Sequence, residues 1–139
     1  MRVFFDASVI IASLLSSAGG SSKLFTYVKA GKFIGITSQT AIDEVLDKTE
    51  KIKKSKKEIE GFIAKSWLLV RKSITLKETA PYKGLVDGED AHLVAGAVLT
   101  KCSHLVSLDK KHILRSDIRK RFLPLKIVSP KELIEEIIN

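Results

Sequence analysis

Apolar positions along this chain switch repeatedly between a strand pattern and a helix pattern. Arg2 to Phe5 reads as a buried strand, and Val9, Ile10, Ile11, Leu14 and Leu15 then recur as one stripe of a helix that Ser8 is placed to cap. Ser16 to Ser22, with Gly19-Gly20 inside, predicts a loop. Leu24, Phe25 and Val28 predict a short amphipathic helix ended by Gly31, after which Lys32 to Ile36 returns to strand character. Thr37 or Ser38 opens a third helix reaching about Lys48. A fourth, from about Ser55 to Trp67, carries Ile59, Phe62, Ile63 and Trp67 at helical spacing. Leu68 to Ile74 predicts a strand and Ala80-Pro81-Tyr82-Lys83-Gly84 a loop. Gly88 to Thr100 then predicts a helix and Leu105 to Leu108 a strand. Lys126-Ile127-Val128 makes a last short strand, and Pro130 stands in the first turn of a closing helix to Ile138.

Strands alternating with helices predict an α/β fold of three layers, a central parallel sheet with helices on both faces. Right-handed crossovers would bring the carboxyl ends of the first strand and the Leu105 strand to one edge. Both of these runs stop on an aspartate, Met1-Arg2-Val3-Phe4-Phe5-Asp6 and His104-Leu105-Val106-Ser107-Leu108-Asp109. In such sheets that edge is where ligands bind.

At 139 residues, 45% hydrophobic and 29% charged, the chain is expected to form one domain over residues 1–139. The longest apolar run, Val9 to Leu15, is too short to span a membrane, and the first residues lack the pattern of a signal peptide. Cys102 is the one cysteine, so no disulfide or thiolate metal site is available and a cytoplasmic location is expected. Lys and Arg outnumber Asp and Glu by 24 to 16, a formal charge of +8 that points to a polyanionic partner.

Four acids bear on the chemistry. Asp6 lies between Phe4-Phe5 and the apolar run Val9 to Ala12, where an unpaired charge would cost on the order of several kcal/mol. It is either an N-cap or a ligand. Asp90, Leu93, Val94 and Ala97 fall at i, i+3, i+4 and i+7, so this acid faces the same way as the apolar stripe, while Asp87 is the better helix cap. Asp109 either pairs with the following Lys110-Lys111-His112 or joins the other acids. On the helix of Ala41, Ile42, Val45 and Leu46, Asp43 and Glu44 both flank the apolar face, and periodicity does not choose between them.

Nearly the whole chain resembles the PIN domain, the nuclease fold of VapC-type toxins and related RNA-processing enzymes. The resemblance rests first on Val3-Phe4-Phe5-Asp6-Ala7-Ser8-Val9 and on Thr40-Ala41-Ile42-Asp43-Glu44-Val45-Leu46. It continues through Asp90-Ala91-His92-Leu93-Val94-Ala95-Gly96-Ala97 and Leu105-Val106-Ser107-Leu108-Asp109-Lys110-Lys111. The first motif carries Ala7-Ser8 where Thr-Asn or Thr-Ser is frequent. Matching the second motif selects Glu44 over Asp43.

The resemblance implies a catalytic and metal-binding set of Asp6, Glu44, Asp90 and Asp109, with Ser8 and Ser107 in support and Mg²⁺ or Mn²⁺ as the cofactor. Clustered carboxylates suit such hard ions, which bind phosphate oxygens and make a bound water more acidic. It further implies a metal-dependent endoribonuclease acting on single-stranded RNA, a homodimer, and an antitoxin partner that fills a groove and reaches the acid pocket. Lys110, Lys111 and His112, next to Asp109, are the candidate RNA contacts, whereas most of the basic residues from Lys48 to Lys57 read as a solvated helix face. Competing readings are a PIN-domain RNA-processing nuclease without an antitoxin and a PIN-like module that only binds. A phosphoacceptor receiver domain fits poorly, since it wants a second acid beside Asp6.

Overall fold

The computed structural model describes residues 1–138. Its sheet has five parallel strands: β1 (Arg2–Phe5), β2 (Ile34–Ser38), β3 (Leu69–Arg71), β4 (His104–Val106) and β5 (Lys126–Val128). They lie in the order β3-β2-β1-β4-β5. The helices are α1 (Ala7–Leu15), α2 (Gly20–Lys29), α3 (Gln39–Leu46), α4 (Thr49–Ile52) and α5 (Lys56–Lys65), then α6 (Leu76–Thr79), α7 (Ala91–Leu99), α8 (Ser116–Arg121) and α9 (Pro130–Ile138). The three-layer α/β/α arrangement expected from the alternation is the one found. None of the described helices is by itself long and apolar enough to cross a membrane.

Strand β1 is central, and its side chains alternate between two cores as the pleat dictates. Val3 and Phe5 are fully buried against α1, α2, α5 and Leu133 of α9, the Phe5 ring lying 5.1 Å from that of Phe25. Phe4 points the other way, into a second core with Leu93, Val94 and Ala97 of α7 and with Ile113 and Ile118. The close approach of α7 depends on a missing side chain, because a Cβ built at Gly96 would lie 2.5 Å from Phe4 Cζ. This seats α7, and Asp90 immediately before it, tightly against the sheet centre.

Several local expectations are corrected. The predicted loop over Ser16 to Ser22 is shorter, since α2 already starts at Gly20. Ser8 does not cap α1: Asp6 occupies the N-cap position without a capping side-chain bond, and Ser8 lies inside the helix. Ser38, rather than Thr37, caps α3 through Ala41 N at 3.1 Å. The fourth predicted helix ends at Lys65, and Trp67 stands outside it at φ +66° with 68% of its surface exposed. The strand from Leu68 to Ile74 shrinks to β3, paired only with β2, so that Leu69 and Val70 are exposed. Three short helices, α4, α6 and α8, fall where no helix is predicted, because four to six residues are too few to show an apolar period.

Candidate active site

The strand order reverses at β1, whose two neighbours β2 and β4 connect in opposite directions, and this opens a crevice beyond the carboxyl ends of β1 and β4. The ladder is in register there, with Phe5 opposite Val106, and Asp6 N continues it by donating to Val106 O at 3.1 Å. Asp6 therefore leaves the sheet at the floor of the crevice, only 7% exposed. Its Oδ2 accepts hydrogen bonds from Ser107 Oγ at 2.7 Å and Ser8 Oγ at 2.9 Å. Each serine also accepts from the chain beyond β4, Ser107 Oγ from Asp109 N and Ser8 Oγ from Leu108 N, both at 3.0 Å. The two hydroxyls thus tie the first acid to the turn that carries the fourth.

Asp109 is not the last residue of its strand, which stops at Val106. It lies in the following turn, where Oδ1 accepts from Lys111 N at 3.1 Å and His112 N at 3.0 Å, and Oδ2 lies 3.2 Å from His112 Nδ1. Asp90 ends a 3₁₀ turn opened by Asp87, whose Oδ1 accepts from Glu89 N at 3.1 Å, so Asp87 is the cap and Asp90 is left free to face the crevice. Glu44 reaches it from α3, while Asp43 faces solvent and accepts from Gln39 Nε2 at 2.9 Å. The ambiguity between these neighbours is resolved by which side of α3 each occupies.

Asp6, Glu44, Asp90 and Asp109 line one cavity of about 490 Å³ together with Ser8, Asp87, Glu89, Lys48 and His112. Its electrostatics are unfavourable for full ionisation. Burial holds the Asp6 carboxyl above the usual range despite the serine hydrogen bonds, and the charge of Glu44 adds to the effect. Burial, followed by the charges of Asp6, Asp109 and Asp87, pushes Asp90 up to about 6. His92 Nε2 lies 2.7 Å from Glu44 Oε1, but off the line a hydrogen bond needs. Glu44 Oε1 and His92 Nδ1 are consequently enclosed without hydrogen-bond partners among the described residues. Such a site gains from a cation. Asp90, Asp109 and His112 offer ligand atoms all within 4.8 Å of one another.

The basic candidates separate. His112 belongs to the cavity, Lys111 is exposed and contributes its backbone N–H to Asp109, and Lys110 turns to a different hollow. Lys48 and Glu89 line the acid cavity without having been singled out in the sequence. Lys48 is one of a run of lysines, and as an exposed residue at the bend between α3 and α4 it lines the cavity from its rim.

The sequence profile described as "PIN domain" matches residues 2–111, a span that contains all four acids. A structure described as VapBC2 from Rickettsia felis bound to a DNA fragment from their promoter superposes with a TM-score of 0.66 at 15% identity. The match covers 93% of this chain and 98% of that one. No curated protein matches in sequence.

Proposed function

The chain belongs to the PIN domain family, and from that premise we propose that it is a divalent-metal-dependent endoribonuclease that hydrolyses phosphodiester bonds in single-stranded RNA. One observation carries the reading: Asp6, Glu44, Asp90 and Asp109, brought by β1, α3, the start of α7 and the turn after β4, line a single cavity at the switch point of the sheet. Only histidines, His92 beside Glu44 and His112 beside Asp109, oppose the mutual repulsion there, and Asp90 stays raised to about 6, so a cation in the cavity would be stabilising.

The donor set fits Mg²⁺ or Mn²⁺, because it is built of carboxylate oxygens with His112 alongside. Asp6, Glu44 and Asp90 would hold the ion, and Asp109 would position it. When bound, such an ion lowers the pKa of a coordinated water and stabilises charge on phosphoryl oxygens. The chain's own residues set the stage for that chemistry. Ser8 and Ser107 fix the Asp6 carboxylate, so that its remaining lone pairs face the crevice. His112, held through Nδ1 to Asp109, presents its other nitrogen to a phosphate oxygen, and Lys48 adds positive charge at the rim.

The likeness to VapBC2 is in line with the more specific role of toxin in a toxin–antitoxin pair; that the protein is a cytoplasmic homodimer held inactive by its antitoxin is part of the proposal and follows from the family resemblance alone. A groove of about 590 Å³ with Leu14, Phe25 and Phe62 among its lining, beside Lys29, Lys54, Lys57 and Lys65, is a candidate bed for such a partner segment. The test is cleavage of single-stranded RNA with Mg²⁺ or Mn²⁺, with and without chelator, by the wild type and by Asp6→Asn and Asp90→Asn. Each substitution should lower the rate by about a hundredfold or more, as expected when a metal ligand is lost. Cleavage that persists in both variants, or in chelator, would refute the assignment.

A further inference from the structure

Glu44 differs from the other three acids in what holds it. Asp6 and Asp109 are tied together through Ser107, and Asp90 is set by the turn at the start of α7. Glu44 hangs from α3 with 42% of its side chain exposed. Among the described residues, the basic group within ion-pair distance of it is His92 of α7, whose Nε2 lies 2.7 Å from Glu44 Oε1. His92 is placed to act as a fixed point. Its side chain is 11% exposed, Ala91 and Leu93 on either side are buried, and the helix is pressed against Phe4 at Gly96. The two ring nitrogens have unequal surroundings. Nδ1 is enclosed without a hydrogen-bond partner among the described residues, a cost that an apolar side chain at this position would not carry. What distinguishes the histidine from such a residue is Nε2. At 2.7 Å it stands at hydrogen-bonding distance from Oε1 though off the line, and a turn of the partly exposed Glu44 side chain brings N–H and oxygen into line. The proton belongs on Nε2, since a bare nitrogen would set its lone pair against a carboxylate oxygen at that separation.

We propose that His92 is a positioning residue for Glu44, its Nε2–H holding Oε1 so that Oε2 is the oxygen presented to the cavity. Oε1 is enclosed beside the imidazole and so is closed to an ion in the crevice, while the side chain as a whole lines it. Carboxylates that ligate a metal are themselves held by hydrogen bonds, and loss of such a partner typically costs about tenfold to a hundredfold in metal affinity. Helix α7 then has two tasks at the site: it opens on Asp90, and two residues further on it holds the acid of α3. This role rests on the reading of the cavity as a divalent-cation site, not on the cleavage of RNA.

The experiment has a metal-free and a metal-loaded arm, both on the full-length chain. Without metal, the nitrogen-15 resonances of the His92 ring at neutral pH should report a proton on Nε2, and they should shift in Glu44→Gln. A bare Nε2 would overturn the proposal. In the loaded arm, Mn²⁺ is titrated by calorimetry into the wild type, His92→Leu and His92→Gln. Leucine fills the space without a donor, whereas glutamine keeps a neutral N–H donor near the place of Nε2. His92→Leu should weaken Mn²⁺ binding by about tenfold or more, and His92→Gln should recover most of that loss. Melting of the metal-free variants separates positioning from support: His92→Leu should melt no lower than the wild type, because it removes a stranded nitrogen. Equal loss of Mn²⁺ affinity in both variants together with lowered melting would overturn the proposal, since it marks a structural histidine. Wild-type affinity in His92→Leu would remove this role alone, and a wild type that binds no Mn²⁺ would remove the cation site and the role with it. Failure of the wild type to cleave RNA while Mn²⁺ affinity still tracks His92 would remove the nuclease reading and leave the role standing.

Discussion

Acidic side chains at the centre of the sheet and at its edge live under opposite rules. At the edge, Glu78 of α6 meets Arg71 of β3 at 2.5 Å, also caps its own helix with Thr75, and is drawn down to about 2. Glu132 of α9, paired with Arg119 at 2.8 Å, is likewise held at about 2. At the centre, Asp90 has no basic partner within ion-pair distance among the described residues and rises to about 6, and the neighbouring buried Asp6 accepts its side-chain hydrogen bonds from serine hydroxyls. A chain with an excess of eight positive charges has ample cations to neutralise four carboxylates. Instead it gives Glu44 and Asp109 only histidines, His92 at 2.7 Å and His112 at 3.2 Å, and gives Asp6 and Asp90 no Lys or Arg among the described residues, a pattern expected of groups that meet a ligand.

The largest effect expected from this contrast is a crossover between activity and stability. Asp90→Asn should lower RNA cleavage by about a hundredfold or more while raising the melting temperature of the metal-free protein, because it removes a repelled charge. Glu78→Gln should do the reverse, leaving cleavage within about twofold and lowering the melting temperature. Paired rate and melting measurements on both variants check this. A metal-free Asp90→Asn protein less stable than wild type would show that Asp90 is a structural acid like Glu78.

The pH dependence should carry opposite signs in the two regions. Asp90 is raised from 3.8 to about 6, so its contribution to stability is fully present below its unfolded value and is lost as pH rises through about 6. Glu78, lowered from 4.5 to about 2, contributes above its unfolded value and loses that contribution as pH falls toward 2. Since a cation must displace the Asp90 proton, apparent Mn²⁺ affinity should be about tenfold lower at pH 5 than at pH 7.5. Mn²⁺ titration by calorimetry in two buffers of different ionisation enthalpy tests both the affinity and the proton release. In Asp90→Asn the pH dependence should flatten.

Ser107→Ala asks how firmly the centre is held. The hydroxyl is fully buried, donates to Asp6 at 2.7 Å and accepts from Asp109 N at 3.0 Å, so its removal strands two polar groups. A loss of about 1–3 kcal/mol in denaturant unfolding is expected, and Asp6 should titrate higher still. Ser8→Ala, nearer the surface, should cost less. Equal effects would mean that the two serines are not distinct in their hold on Asp6.

How much of this was legible in the sequence follows the range of the forces involved. Strands β1 and β4 and helix α7 were readable because burial demands unbroken apolar runs or a clean stripe, and Val3 to Phe5 and Leu93 to Ala97 supply them. Asp6 and Asp90 were readable for the same reason, as charges set within apolar pattern. Trp67 misled because its spacing suits α5, whereas the chain turns at Ser66, whose hydroxyl bonds Ile63 O at 2.6 Å and receives Leu68 N at 3.2 Å. The serine bridge from Asp6 to Asp109 was invisible as a connection, since its Ser107–Asp6 bond joins residues 101 positions apart, and no local rule reaches that far. The start of α2 was hidden behind a loop assignment that ended at Ser22, two residues after the helix begins at Gly20.

The smallest expected effect comes from the finest comparison, two adjacent acids on one helix. Periodicity could not separate Asp43 from Glu44; burial does. Asp43 is exposed and bonds only Gln39, one turn back on α3, an interaction worth about 0.2–0.5 kcal/mol. Glu44 lines the cavity, its enclosed Oε1 lying 2.7 Å from His92 Nε2 and without a hydrogen bond among the described residues. Asp43→Asn should therefore leave cleavage within about twofold and stability within about 0.5 kcal/mol, while Glu44→Gln at the next position should cost at least about tenfold in rate. Steady-state cleavage by the two variants side by side decides it. If Asp43→Asn proved the more damaging, α3 would have to be rotated in the working enzyme, and the four-acid cavity would not be the site of the chemistry.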